Sequence, residues 1–342
     1  MSVYIIAEVG PNHNGSIEIA LEMIRLLAAA GADAVKFQLA TPEDVYSQDA
    51  FKADYQRAND GEGSPLEMSR RVQLPFSAHR RLYEACRRNH VDYLSSAFDL
   101  ESLRQIDSFA EMPFFKIPSG EIVATDILDY IATRERPILL STGMATSDEV
   151  AAALDRLTAS GPRSITLLHC VSVYPVPYTE VNLLAMVSLA KRFHRPVGYS
   201  DHSIGPECCV GAVALGAAVI EKHVTMDRDM PGPDHKASAT IDEFAAMVRS
   251  VRLLEQALGD GKRRFSVAEQ DVRGMARKSI VAVCDLPAGH VIARGDLCFK
   301  RPGTGIPPSR TDSLVGRRLR VSIGADRLIT EDDFLDPNGV SD

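Results

Sequence analysis

The sequence predicts an α/β protein, a (β/α)8 TIM-type barrel followed by a small β-rich domain. Eight short apolar runs recur over roughly the first 260 residues, and helix-like stretches separate them. Polar residues collect at the C-terminal ends of those runs, on the face that carries the site in such a barrel. Beyond about residue 260 the pattern changes to short strands broken by Pro-Ala-Gly and Pro-Gly turns.

The predicted strands are 3–9, 33–38, 91–96, 114–117, 137–141, 164–169, 196–200 and 218–223. Their first halves are almost wholly apolar, as strands buried on both faces should be. The stretch 17–30 has helical periodicity, with Ser16 as its cap and Gly31 closing it. The stretch 147–159 opens on Thr146 or Ser147 and closes at Gly161. A doubly wound sheet shares this alternation, but no glycine fingerprint follows the first strand. Residues 40–75 form a long connection, expected to be a functional lid or a mobile insertion. Gly259 to Arg264 is a basic, glycine-punctuated junction. The roughly 65 residues at the C-terminal end have little core of their own. They are expected to lean on the barrel or on a partner subunit.

Composition narrows the function. The 342 residues are 45% hydrophobic and 25% charged, with a net charge of −8, which excludes wholesale disorder. An acidic chain argues against nucleic-acid binding, so an anionic substrate must meet a local positive pocket. The N-terminal run reaches a charge at Glu8, so no signal peptide is expected, and no apolar window is long enough for a membrane span. Six cysteines without a CxxC read as thiols of a cytoplasmic protein.

The chemistry-bearing residues lie at the strand ends. His202 and His223 are 21 residues apart, about one strand-to-strand unit, so they reach the rims of neighbouring strands about 4.8 Å apart. Two imidazoles there suit a shared divalent ion, with manganese, magnesium or cobalt favoured over zinc. Two hydrogen-bonded rim histidines are the other reading. Asp201 and Glu221 flank them and are expected to orient the rings. Lys36, Lys116 and Lys222 lie on otherwise apolar strands, where an ammonium serves to neutralise an anion or to act as a tuned nucleophile. Ser119-Gly120 and Ser141-Thr142-Gly143 add hydroxyl and N–H donors for phosphate or carboxylate. Glu8 precedes the turn Asn12-His13-Asn14-Gly15 and suits sugar binding or proton exchange. Asp234-His235-Lys236 ends a second polar loop, 227–237.

The runs IIAEVGPNHNG, GADAVKFQ, KIPSGEI, LSTGM, LHCVSVYPVP, GYSDHSIG, EKHVT and GPDHKAS occur in order over residues 3–238. In these the chain resembles the N-acetylneuraminate (sialic acid) synthase family. The C-terminal segment, with LPAGHVI and KRPGTGI, resembles that family's antifreeze-like (SAF) domain. The resemblance implies a synthase barrel over 1–262, a linker over 263–276 and an SAF domain over 277–342. It implies condensation of phosphoenolpyruvate with an open-chain amino-sugar aldehyde, giving a nine-carbon 2-keto-3-deoxy acid and phosphate. By the same resemblance, His202 and His223 hold the metal, most simply Mn2+. Lys36, Lys116, Ser96, Ser119, Ser141, Ser172 and Ser200 hold phosphoenolpyruvate, and Glu8, Gln38, Tyr174 and Asp234 hold the sugar. Glu8, Lys36 and Lys116 are the implied catalytic residues. Arg301 is implied to reach the sugar from the other subunit of a domain-swapped homodimer.

Three positions depart from the family pattern. Ser172 stands where Asn is common, Ser95-Ser96-Ala97-Phe98 replaces Ser-Thr-Pro-Phe, and Met275 stands near Arg277 where some members have an aromatic residue. These departures bear on the sugar, since legionaminic and pseudaminic acid synthases use 6-deoxy diacetamido sugars. The chain has no tryptophan to stack on a sugar face. Two other readings are a Schiff-base aldolase using Lys116 or Lys36, and a non-catalytic sugar-binding barrel.

Overall fold

The computed structural model describes residues 2–161 and 163–336. The chain divides into two compact units, Met1–Gly259 and Asp260–Asp342. The first is the expected barrel. Its strands are β1 (Tyr4–Glu8), β2 (Ala34–Leu39), β3 (Asp92–Ala97), β4 (Phe115–Ile117), β5 (Ile138–Ser141), β6 (Ile165–His169), β7 (Val197–Asp201) and β8 (Val219–Thr225). They run parallel in the order β3-β2-β1-β8-β7-β6-β5-β4, so the ladder continues through the first and last strands and wraps round. β3 and β4 stand side by side at the seam. A short β9 (Ala239–Thr240) pairs in parallel with the end of β8. Among the described residues, no helix is long and apolar enough to cross a membrane.

Local signals set the helix ends as expected. Ser16 caps Ile17–Ala29 by accepting the Ile19 N–H at 3.3 Å. Thr146, rather than Ser147, caps Ser147–Thr158, in a capping box with Glu149. Gly31 and Gly161 lie beyond the two helices at φ +89° and +125°, a conformation that favours glycine.

The connection 40–75 is more ordered than a bare loop. It folds into helices Pro42–Val45, Asp54–Asp60 and Pro65–Val72. Ser64 and Glu67 form a capping box at the third. Buried Lys52 donates to Asp60 at 2.8 Å, and Arg71 pairs with the same carboxylate. One acidic side chain thus ties three parts of the insertion together.

The second unit has its own small core, built on Ile280, Leu286, Ile292, Leu314, Ile329 and Phe334 among others. Strands β10 (Ser279–Ala282) and β11 (Leu297–Lys300) pair antiparallel within it. The segment 263–276, expected as a linker, contains a helix over Val267–Ala276. Residues 337–342 of the expected small domain lie outside the described residues.

Candidate active site

Strand alternation decides what reaches the barrel interior. Successive side chains on a strand point to opposite faces. Lys36 and Gln38 share one face of β2, and Glu221 and His223 share one face of β8. Register aligns Glu8 with Lys36 on one side and with His223 on the other. The inward residues and the loops above them enclose a cavity of about 460 Å3.

The floor of that cavity is an ionic lattice. Lys36 Nζ lies 2.7 Å from Glu8 and 3.6 Å from Glu221, and it donates to Ser96 Oγ at 3.4 Å. Lys116 Nζ lies 3.5 Å from Glu221 and donates to Ser141 Oγ at 2.9 Å. Ser200 Oγ donates to Glu221 at 3.0 Å, and Gln38 donates to Glu8 at 2.7 Å. Burial alone would lower the Lys36 ammonium, but Glu221 and Glu8 face it and together raise it, so it stays charged. Burial lowers Lys116, against the pull of Glu221. Burial would raise Glu221, but Lys116 and Lys36 outweigh it and hold this carboxylate low. Glu8 is raised, because burial and the charge of Glu221 outweigh Lys36.

Ser119 and Gly143 form one wall. The Gly143 N–H donates to Ser119 Oγ at 3.0 Å, and Cys170 Sγ lies 3.1 Å from the same hydroxyl. A Cβ at Gly143 would come within 2.5–2.8 Å of Ser172, Cys170 and Ser119, so a side chain there would push this wall apart.

His202 and His223 stand opposite, with ring centroids 5.3 Å apart. His202 Nδ1 lies 2.6 Å from the Val171 carbonyl, which can only accept, so Nδ1 carries the proton and Nε2 keeps its lone pair. His223 Nδ1 is buried without a hydrogen-bond partner, 3.5 Å from Asp234. Burial pushes His202 down to about 4 and His223 well below its usual value, so both rings are neutral near pH 7. Two neutral imidazoles, one with an orphaned nitrogen, have the donor chemistry of a divalent-ion site. No group of three or more His, Cys, Asp or Glu among the described residues is placed to hold an ion.

The cavity gathers Lys36, Gln38, Ser96, Lys116, Ser119, Ser141, Ser172, Tyr174, Ser200, His202, His223 and Asp234. Glu8 is fully buried beneath them. Arg301 belongs to the second unit and is exposed there.

Two expectations fail on strand parity. Lys222 lies between Glu221 and His223 and so faces outward, where it donates to Asp201 at 2.6 Å instead of meeting a substrate anion. Asp201 is therefore taken up and makes no hydrogen bond to either ring. Glu221 binds the lysines rather than an imidazole. The Val171 carbonyl orients His202, and Asp234 is the neighbour of His223. His169 at the end of β6 also turns outward and meets the Val181 carbonyl at 2.8 Å.

Four contributors were not anticipated. Glu221 bridges both lysines, and the two-residue period shared with His223 was the available signal. Cys170 lines the cavity from the end of β6. Tyr55, on the insertion helix Asp54–Asp60, packs on Tyr174 with centroids 5.1 Å apart, and Tyr174 packs on His202 at 4.1 Å. Asn59 of the same helix donates to the Pro233 carbonyl at 2.9 Å, beside Asp234. Nothing in the spacing of residues 40–75 announced that contact.

A barrel with paired lysines, hydroxyl donors and two neutral imidazoles at its C-terminal face defines an enzyme built for a small, multiply charged anion and a carbonyl or hydroxyl partner. The chain belongs to the NeuB family, whose model matches residues 23–263, and an SAF domain matches residues 277–335. It is 42% identical over 330 residues to an N,N'-diacetyllegionaminic acid synthase of Campylobacter jejuni, covering 96% of this chain and 98% of that one. It is 32% identical over 341 residues to the human N-acetylneuraminate-9-phosphate synthase, covering 98% and 93%. Among solved structures, a sialic acid synthetase of Leptospira borgpetersenii superposes with a TM-score of 0.71 at 31% identity, over 79% of this chain and 90% of that one.

Proposed function

We propose that this enzyme condenses phosphoenolpyruvate with an open-chain N-acylated amino sugar. N-acetylmannosamine and a 2,4-diacetamido-6-deoxy hexose are the acceptors to compare. The products are a nine-carbon, sialic-acid-like 2-keto-3-deoxy acid and inorganic phosphate. One observation carries the reading: Lys36 and Lys116, with serine hydroxyls around them, share a cavity with two neutral imidazoles.

In the reaction, a carbon–carbon bond forms between C3 of phosphoenolpyruvate and the aldehyde carbon. Water adds to the electron-poor C2, and the C2–O bond to phosphate breaks as the ketone forms. Lys36, Lys116, Ser96, Ser119, Ser141, Ser172 and Ser200 bind the phosphate and carboxylate. Their positions are set before substrate arrives, so little reorganisation is needed. Glu8, buried with a raised affinity for protons, is placed to take a proton from the attacking water. Gln38, Tyr174 and Asp234 orient the sugar. His202 and His223 would hold a divalent ion, Mn2+ by preference and Mg2+ or Co2+ as alternatives, which supplies Lewis acidity toward the aldehyde oxygen.

The test is phosphate release from phosphoenolpyruvate across a panel of amino sugars, with and without chelator. We expect release with an N-acylated amino sugar, loss on chelation and recovery with Mn2+. No release with any acceptor overturns the reading. Full activity after chelation removes the metal. A second reading rests on Lys116, which burial holds below its usual value as a Schiff-base nucleophile requires. Borohydride trapping of a substrate on Lys116 without phosphate release would favour it.

We also assign the protein to a homodimer in which Arg301 enters the partner's barrel, and to the cytoplasm, a location its six free thiols suit. Mixing Glu8→Gln and Arg301→Ala parents, both inactive, should restore partial activity once subunits exchange. No recovery despite exchange removes the swap.

A further inference from the structure

The outward pair Asp201–Lys222 sits between the two histidines in register. Ser200 aligns with Glu221 and Asp201 with Lys222. His202 and His223 are the next residues along. The pair is almost completely buried, at 0% and 2% side-chain exposure. Both carboxylate oxygens of Asp201 are engaged. Oδ2 accepts from Lys222 Nζ at 2.6 Å and from Cys209 Sγ at 3.2 Å. Oδ1 accepts from Tyr199 at 3.0 Å, from the Ser203 N–H at 2.9 Å and from Ser203 Oγ at 2.7 Å. Lys222 Nζ also donates to the Ser203 carbonyl at 2.9 Å.

Ser203 is thus gripped through its N–H, its hydroxyl and its carbonyl by two side chains on adjacent strands. His202 is the single residue between Asp201 and Ser203, so its backbone is fixed from both sides. Lys222 is the residue before His223, so the same ion pair fixes the strand end that carries the second imidazole. An apolar pair of the same volume would fill the space but would leave the Ser203 N–H and carbonyl without partners. The charges therefore do what packing could not: they define the turn after β7 relative to the end of β8.

We infer that Asp201 and Lys222 are positioning residues that set the separation and orientation of His202 and His223, and through them the affinity of the site for a divalent ion. The effect on the ion rests on the proposed metal site; the effect on the rings does not.

The test uses the full chain with 15N-labelled histidine. The double variant Asp201→Asn/Lys222→Met removes both charges together, so neither is left buried alone, and Lys222→Arg is the conservative control. In metal-free protein, the imidazole nitrogen resonances of His202 and His223 should shift or broaden in the double variant. Those of His13, His79 and His235 should stay in place, and Lys222→Arg should keep the wild-type pattern. Mn2+ affinity, read from free Mn2+ by electron paramagnetic resonance, should fall at least tenfold in the double variant and recover in Lys222→Arg. Unchanged His202 and His223 resonances in a folded double variant overturn the inference. So does a shift in all the histidines alike, which would mean a general loss of structure. If the wild-type protein binds no Mn2+, the metal reading fails, and the resonances still decide the positioning role. If the double variant does not fold, the milder Asp201→Asn takes its place with the same readings: shifted His202 and His223 resonances beside unmoved His13, His79 and His235 support the inference, and unmoved His202 and His223 resonances overturn it.

Discussion

The inner and outer faces of the barrel where β7 and β8 end are built from the same residue types to different effect. On the outer face, Lys222 and Asp201 meet each other, Ser203, Tyr199 and Cys209. On the inner face, Lys116 and Lys36 share Glu221, whose Oε2 has no hydrogen-bond partner, and His223 Nδ1 is likewise unpartnered. Buried polar groups in folded proteins are nearly always paired. The outer set obeys that rule with protein partners. The inner set leaves these two atoms unpartnered by the protein.

The sharpest way to break the comparison is to remove one lysine from each face. Lys116→Ala should weaken phosphoenolpyruvate binding a hundredfold or more, the consequence of leaving a buried anion uncompensated at about 3–5 kcal/mol. Acceptor-sugar binding should change little, since Glu221 keeps Lys36 as a partner. Calorimetry showing wild-type phosphoenolpyruvate affinity would refute the anion role. Lys222→Ala should do the reverse. It strands the Asp201 carboxylate, so chemical denaturation should show a loss of about 3–5 kcal/mol. Phosphoenolpyruvate affinity in whatever folds should stay within threefold of wild type. A stable Lys222→Ala protein that no longer binds phosphoenolpyruvate would put Lys222 back among the substrate residues.

That contrast also locates what the sequence could disclose. Strand count, strand order and the helix caps at Ser16 and Thr146 were legible because they depend on local pattern. So were Lys36, Lys116, His202 and His223, whose residue types are out of place on apolar strands. The errors at Lys222 and Asp201 come from reading rim residues as one group. The two-residue period places Glu221 and His223 on one face and Lys222 on the other, and that rule was available without a structure. The contact of Tyr55 with Tyr174 was not legible. It joins residues more than a hundred positions apart, and the helix that bears Tyr55 is held by Lys52, Asp60 and Arg71 rather than by a periodic apolar stripe.

Asp234 offers a pH test of the inner face. Burial, and next the charge of Glu8, raise its carboxyl from 3.8 to about 7. Between those values the folded protein holds a proton that the unfolded chain has lost. The stability from this group is therefore complete below about pH 4 and is lost as pH rises through about 7. Asparagine cannot titrate. The stability of wild type relative to Asp234→Asn, followed by urea unfolding in chelator, should fall from pH 4 to 7 and level off above. The total change should be no more than about 4 kcal/mol, at about 1.4 kcal/mol per pH unit. A difference independent of pH would mean Asp234 is ionised in the folded state throughout.

The smallest effect should come from the mouth of the cavity, where contacts are aromatic rather than ionic. Tyr55 is half-buried and reaches the site through Tyr174, which lies against His202. An aromatic pair of this kind contributes about 0.5–1.5 kcal/mol beyond its area, a factor of roughly 2–10 in an equilibrium constant. On the proposed reading phosphoenolpyruvate would sit on the lysine floor, away from this wall, and the sugar would occupy the space that Tyr174 borders. Tyr55→Ala should therefore raise KM for the amino sugar by about that factor and leave KM for phosphoenolpyruvate unchanged. Tyr55→Phe, which keeps the ring, should restore the wild-type value. A rise in KM for phosphoenolpyruvate instead would mean that the insertion supports the anion floor, and that floor and mouth are not separate regions of the site.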